Sequence, residues 1–241
     1  MNMKRYPRFL PAGDSALVLE FGNEVSPSIN AKIRRMMYHL EKNPIKSVVE
    51  SIPTYRSLLI HYDPITVSFD DLKKHLIETI QSSEKINLPS PRRMTVPTLY
   101  GGEYGEDLKD VASTNGLSPE EVVRIHSGHD FLVYMIGFTL GFPYLGEVPK
   151  AIRCPRLHTP RLKVPAGSVG IADNLTGIYP LESPGGWRVI GRTPLKLFDY
   201  QQDPPATFRA GDLVRFVPID RRTFESMLKN SDKGRYTMED I

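Results

Sequence analysis

Residues 164–193 read Val-Pro-Ala-Gly-Ser-Val-Gly-Ile-Ala-Asp-Asn-Leu-Thr-Gly-Ile-Tyr-Pro-Leu-Glu-Ser-Pro-Gly-Gly-Trp-Arg-Val-Ile-Gly-Arg-Thr. Apolar pieces of a few residues alternate there with glycine, proline and polar turn formers. The wider segment 137–205 holds 9 Gly and 10 Pro, 19 of 69 positions, against 39 of 241 for the whole chain. That density alone is compatible with disorder. Phe138, Phe142, Tyr144, Ile171, Ile178, Tyr179, Trp187, Val189 and Ile190 are interleaved with it, however, and disordered tracts lack such residues. Short β-rich pieces with frequent turn signals predict a sandwich or barrel.

Upstream the pattern changes. Ser15 to Phe21 reads as a strand. Ser26-Pro27 opens a helix, the serine offering an oxygen to free N–H groups and the proline lacking the donor that would be wasted. Ile29, Ile33, Met36, Met37 and Leu40 share one helical face, and Asn43-Pro44 ends the run. Val48 to Ile52 and Leu58 to Tyr62 pair around Pro53-Thr54-Tyr55-Arg56. Ser68 and Asp71 resemble a capping box before Leu72, Leu76 and Ile80. With Met94 to Leu99 as a fourth strand, the order is that of a ferredoxin-like βαββαβ unit with two helices on one face of an antiparallel sheet. If that strand belongs elsewhere, the unit is open. Ser83 to Arg93, with Pro89 and Pro91, is the linker candidate.

Two short helices follow. One spans about Glu106 to Thr114 and is stopped by Asn115-Gly116; the other runs from Ser118-Pro119-Glu120-Glu121 to near Gly128. Asp212 to Val217 reads as a closing strand and Arg221 to Lys229 as a final helix. The expected class is α+β, with an N-terminal α+β domain over 1–90, a barrel domain over 91–229 and a loose tail over 230–241.

Lys+Arg 31 against Asp+Glu 28 leaves +3, too little for a nucleic-acid or membrane-surface argument from the whole chain. The one cysteine, Cys154, forbids an internal disulfide framework and suits a reducing compartment. Pro7, Pro11 and Asp14 interrupt the basic N-terminus before any apolar region, so no signal peptide is expected. The apolar stretch Phe131 to Gly146 falls short of the roughly 20 residues of a membrane helix and contains Gly137, Gly141 and Pro143. A cytoplasmic protein is expected.

Familiar machinery is excluded by spacing. No G-x-x-x-x-G-K-[ST] is present, so no P-loop holds a nucleotide. Ala166-Gly167-Ser168-Val169-Gly170 approaches a nucleophile elbow, but turn-like Asp173-Asn174 follows where a helix is needed, and no histidine lies beyond His158. Ser168 therefore reads as a turn residue. His126, His129 and Asp130 are close in sequence, yet His126 falls in a last helical turn, where the macrodipole favours a cation, so a structural role is expected and no metal site.

From Lys150 to Ala172 there are five cations, Lys150, Arg153, Arg156, Arg161 and Lys163, plus His158 and no acid. Arg188 and Arg192 follow. Between them Glu182-Ser183-Pro184-Gly185-Gly186-Trp187 offers successive N–H groups for an anion-binding nest. Arginine forks bind carboxylate or phosphate bidentately. On residues alone two readings remain, an anion site on the barrel or solvated strand ends with glycines placed for positive φ.

The ordered motifs carry more. Gly101-Gly102-Glu103-Tyr104-Gly105 with Asp107-Leu108, Gly137-Phe138 with Gly141-Phe142-Pro143-Tyr144-Leu145-Gly146, and Thr159-Pro160-Arg161 with Val164-Pro165-Ala166-Gly167-Ser168-Val169-Gly170-Ile171-Ala172 run in order. Thr176-Gly177-Ile178-Tyr179-Pro180, Ser183-Pro184-Gly185-Gly186-Trp187 and Ile190-Gly191-Arg192-Thr193-Pro194 complete the set. Together they resemble the family of 5-oxoprolinase B subunits, also known as the KipI or allophanate hydrolase subunit 1 family. Leu140 stands where the family usually has proline, and Glu147-Val148 replaces Gly-Leu.

The resemblance implies an N-terminal α+β domain, a C-terminal cyclophilin-like antiparallel β-barrel, and partners resembling the C and A subunits of that enzyme. The assembly opens the lactam of 5-oxo-L-proline to L-glutamate using ATP with magnesium; which of its chains binds the nucleotide is open, and this chain is expected to be inactive alone. Arg161, Arg192 and the Gly185-Gly186 turn are expected to line a substrate or anion site, with Ser168, Tyr179 and Ser183 nearby; no catalytic residue is assigned. Alternatives are a KipI-like inhibitor of a sensor histidine kinase, or one component of a urea- or allophanate-processing enzyme. Biotin would sit on a partner, because the chain lacks the Met-Lys-Met acceptor. A prolyl isomerase reading is fold analogy only.

Overall fold

A computed structural model describes residues 6–231. Contacts divide the chain between Ser90 and Pro91 into two units. In the first, β1 (Arg8–Pro11), β2 (Ala16–Glu20), α1 (Pro27–Lys42), β3 (Val48–Pro53), β4 (Ser57–Tyr62) and α2 (Phe69–Ser83) follow in order. Leu17 pairs with Ile60 and Leu19 with Leu58, so alternate residues of both strands point the same way. They meet Ile29, Ile33, Met36 and Leu40 of α1 and Leu72 and Leu76 of α2 in one buried cluster. Both helices therefore cover one face of an antiparallel sheet.

The strand content departs from expectation at one place. The sheet order is β1-β2-β4-β3. Arg8–Pro11, too short and proline-marked to read as a strand, occupies the fourth position by pairing with β2. The strand expected at Met94 to Leu99 lies in the second unit, so the first is the open ββαββα form. Capping also differs. Ser68 accepts the Asp71 N–H as expected, whereas Ser26 makes no side-chain cap and bonds Ser28 instead.

The second unit contains β5 (Arg93–Tyr100), α3 (Leu108–Thr114), α4 (Pro119–Ser127), β6 (Asp130–Ile136), β7 (Pro143–Gly146), β8 (Arg161–Val164), β9 (Ser168–Ala172), β10 (Leu175–Ile178), β11 (Ser183–Gly185), β12 (Arg188–Arg192), β13 (Leu213–Pro218) and α5 (Arg221–Ser231). Seven strands close a barrel in the order β10-β7-β6-β13-β5-β12-β9. It is not wholly antiparallel, because β13 and β5 pair in parallel from Leu213↔Arg93 to Pro218↔Thr98. The last helix runs two residues past Lys229; the rest of the expected tail, 232–241, lies outside the described residues.

Inward positions Val96, Phe131, Val133, Val169, Ile171, Ile178, Ile190, Val214 and Phe216 fill the barrel. His126 joins them from α4, wholly buried between the rings of Phe131 and Phe216 at centroid distances of 5.0 and 4.5 Å. The Thr176 hydroxyl donates to the Gly170 carbonyl at 2.9 Å, so its oxygen accepts from His126 Nε2 at 3.0 Å. Nδ1 is then the acceptor for the Tyr100 hydroxyl at 2.8 Å. Burial pushes the imidazole down to about 3. The helix-end cation expected at this position is thus a neutral core group, because desolvation outweighs the macrodipole.

Candidate functional site

Alternation along β9, β10 and β12 sends every second residue to the outside of the barrel. There Ala172, Tyr179, Val189 and Trp187 join Phe142 and Val164 in a second buried cluster. Gly170 and Gly177 leave the space it needs. A Cβ on Gly170 would meet Trp187 at 3.1 Å, and one on Gly177 would meet the Phe142 ring at 2.8 Å. Phe142 is the hub, with edge contacts to Tyr179 at 5.2 Å and Trp187 at 5.3 Å. The β8–β11 ribbon, a separate two-stranded antiparallel sheet of strands not consecutive in the chain, contributes Val164 to this cluster.

Four of the expected site residues lie at or against that ribbon. Gly185 is the cross-strand partner of Arg161, and Ser183 lies two residues back along the same strand. A Cβ on Gly185 would fall 2.2 Å from the Tyr179 hydroxyl oxygen, so glycine is required for close approach. Arg161 Nη1 and Ser183 Oγ are buried without a hydrogen-bond partner among the described residues. The Tyr179 hydroxyl is buried without a bond of normal geometry, though the Trp187 N–H lies close enough to favour its anion. Burial dominates nonetheless and raises the Tyr179 phenol, which stays a donor.

The other three take different positions. Ser168, expected in a turn, starts strand β9 and is buried. It neighbours Tyr179 through the Tyr179 N–H to Ser168 carbonyl bond and faces Arg192 across β12. Arg192 donates from Nε to the Ala166 carbonyl at 2.7 Å. Gly186 packs on the loop below, its carbonyl accepting from Leu157 N–H at 2.7 Å. Neither Gly185 nor Gly186 has a positive φ, and Gly185 is part of a strand. The expected nest is therefore not what this turn forms.

Electrostatics revise the expected anion site further. Acids from residues 106–110 reach the basic run. Arg161 donates through Nη2 to Asp107 Oδ1 at 2.8 Å, and its Nε lies 3.0 Å from Glu106 Oε1 in an ion pair. Asp107 is buried, and its other oxygen accepts the Val189 N–H at 2.7 Å. Arg188 meets Asp110 at 3.3 Å, Lys163 meets Glu182 at 3.2 Å and Arg153 meets Glu147 at 3.2 Å. Arg156 has no acid partner among the described residues and lies over the Trp187 ring at 6.0 Å, its charge felt by Tyr144 and Tyr179. Asp107, Glu106 and Arg156 are absent from the expected site. The Glu106-Asp107 pair inside the glycine-rich motif was the available signal.

Comparison with known proteins places this arrangement. Residues 7–208 match the family described as carboxyltransferase domain, subdomain C and D. The B subunit of 5-oxoprolinase from Bacillus subtilis (strain 168) is 40% identical over 91% of this chain and 96% of its own length. The chain belongs to the family of 5-oxoprolinase B subunits. A second member, from Escherichia coli O157:H7, is 42% identical over 86% of this chain and 93% of its own length. The crystal structure of TTHA0988 superposes with a TM-score of 0.75 at 38% identity, covering 85% of this chain; the chain spans 40% of that protein. The barrel and its β8–β11 ribbon are thus the setting in which the residues of this 5-oxoprolinase family member must be read.

Proposed function

We propose that this chain is the B subunit of an ATP-dependent 5-oxoprolinase in the cytoplasm, acting with proteins like the A and C subunits to open the lactam of 5-oxo-L-proline to L-glutamate. The observation that carries this reading is 40% identity sustained over 91% of this chain and 96% of the Bacillus subtilis relative. The chemistry fits a polar cluster on the barrel. A lactam is resonance-stabilised and its nitrogen leaves poorly, so the ring carbon needs activation through its oxygen. ATP supplies the phosphoryl group for that activation. The part of this chain is to hold and orient the ring through Arg161, Tyr179 and Ser183.

Arg161 and the Gly185-Gly186 turn, expected at an anion site, do not fit the triphosphate itself. Arg161 is already engaged by two carboxylates, the Gly185-Gly186 segment is no nest, and no three His, Cys, Asp or Glu side chains among the described residues gather as a metal site. ATP with magnesium therefore belongs to a partner protein in this reading. The test is reconstitution with A-like and C-like chains. ATP-dependent glutamate formation from 5-oxoproline should need all three. Turnover that persists when this chain is omitted would defeat the assignment.

A further inference from the structure

A cavity of about 120 Å³ in the first unit is lined from α1, the end of α2, the approach to β1 and the exit of β2. It has room for about four waters, or for the compact end of a small solute. Pro7, Phe21 and Ile80 give it an apolar wall. Three charged side chains line the same space. Lys32 and Arg35, three residues apart on α1, share one helical face, and Glu84 is the C-cap of α2. No ion pair joins either cation to Glu84 among the described residues, so opposite charges face one cavity without neutralising each other.

The α1 side suits an anion. Arg35 donates from Nε to the Ile86 carbonyl at 3.2 Å, which fixes the guanidinium and leaves its Nη groups with no other partner among the described residues. The α2 side suits a cation. That helix ends with no basic residue in its last turn, so the partial negative charge of its C-terminus adds to Glu84. Ser83, buried, donates its hydroxyl to the Ile80 carbonyl at 2.8 Å, and its oxygen can still accept. A simple anion satisfies Lys32 and Arg35 but meets Glu84 as a like charge, and a simple amine does the reverse. A solute with both charges on a short carbon body meets all three.

We infer that this cavity binds a free amino acid, its carboxylate at Lys32 and Arg35, its ammonium at Glu84 and the α2 end, and its first side-chain carbons against Phe21 and Ile80. Two cations against one carboxylate favour an acidic side chain over a basic one. Lys32 and Glu84 are exposed, so the cavity opens to solvent and the rest of the side chain reaches outward. The inference concerns the first unit alone and does not rest on the lactam-opening reading.

Binding is read on the full chain by amide chemical-shift titration, with L-glutamate, L-lysine and glutarate as probes. Glutarate is L-glutamate without the ammonium. L-Glutamate should shift the Ile80, Ser83 and Glu84 amides saturably, with a Kd below about 10 mM. Glutarate should bind about two- to fivefold more weakly, the worth of one exposed ion pair, and L-lysine more weakly than L-glutamate. Glu84→Gln should abolish the preference for L-glutamate over glutarate. Lys32→Gln should weaken both and keep the preference. Both side chains are exposed and unpaired, so neither change should lower the melting temperature.

Glutarate binding as tightly as L-glutamate to the wild type would make this an anion site and overturn the inference. So would a preference that survives Glu84→Gln, tighter binding of L-lysine, or no saturable shift with L-glutamate. Turnover by the assembled complex is not read, so none of these outcomes bears on the proposed function.

Discussion

Asp107 sits where backbone and site meet. One oxygen holds Arg161 and the other holds the Val189 N–H, while its own N–H bonds the Val189 carbonyl at 2.9 Å. Removing one member of a buried pair strands the other. Asp107→Asn should therefore cost about 2–4 kcal/mol in urea denaturation, and pairing it with Arg161→Met should recover part of that loss. Full additivity would show that the two side chains do not interact. His126 offers a second test at this scale. The fold holds it neutral, pushed down from 6.5 to about 3, with Tyr100, Thr176 and His129 as its polar surroundings. Its contribution is complete above pH 6.5 and is lost as pH falls toward 3, at up to about 1.4 kcal/mol per pH unit. Stability measured from pH 7.5 to 4 should show this slope in the wild type and a shallower one in His126→Gln. Identical slopes would remove His126 from the account.

At the scale of elements, the β8–β11 ribbon depends on the absence of a side chain at position 185. A methyl group there would lie 2.2 Å from the Tyr179 oxygen and 2.8 Å from two ring carbons. Gly185→Ala should destabilise the chain by about 1–3 kcal/mol through overpacking. Adding Tyr179→Phe should restore part of it, since the nearest clash is with the hydroxyl; a double variant no better than the single one would place the strain elsewhere. Helices show how much at this level was readable. The Ser118 capping box forms with both reciprocal bonds, and proline stands first in α1 and α4 as expected. Those signals act within one turn, so sequence suffices. Strand Arg8–Pro11 was missed because only its pairing with β2 makes it a strand.

For the whole molecule, closure of the barrel is the long-range event. The parallel β5–β13 pair joins segments more than a hundred residues apart, through Val96↔Phe216 and its neighbours. A chain from Pro91 to Ser231 contains both strands and should unfold cooperatively with a midpoint of its own. One starting at Gly105 lacks β5, leaves the edges of β12 and β13 unpaired and should aggregate or show no transition. Equal behaviour of the two in urea denaturation and gel filtration would refute closure as the stabilising step.

Local sequence determined the helices, the caps at Ser68 and Ser118 and the β-rich, turn-rich character of residues 137–205. Ordered motifs also identified the family and singled out Arg161, Tyr179, Ser183 and Gly185. Those features depend on neighbours a few residues away, or on recognition of whole blocks. The sheet to which Met94 to Leu99 belongs, and the partners of the arginines, were settled only by tertiary structure. The run from Lys150 to Ala172 contains no acid, yet Glu106 and Asp107, some fifty positions earlier, stand against Arg161 in space. Charge acts through distance in three dimensions and falls off within a few ångströms of a buried pair, so a linear count of cations had no means of seeing what neutralises them.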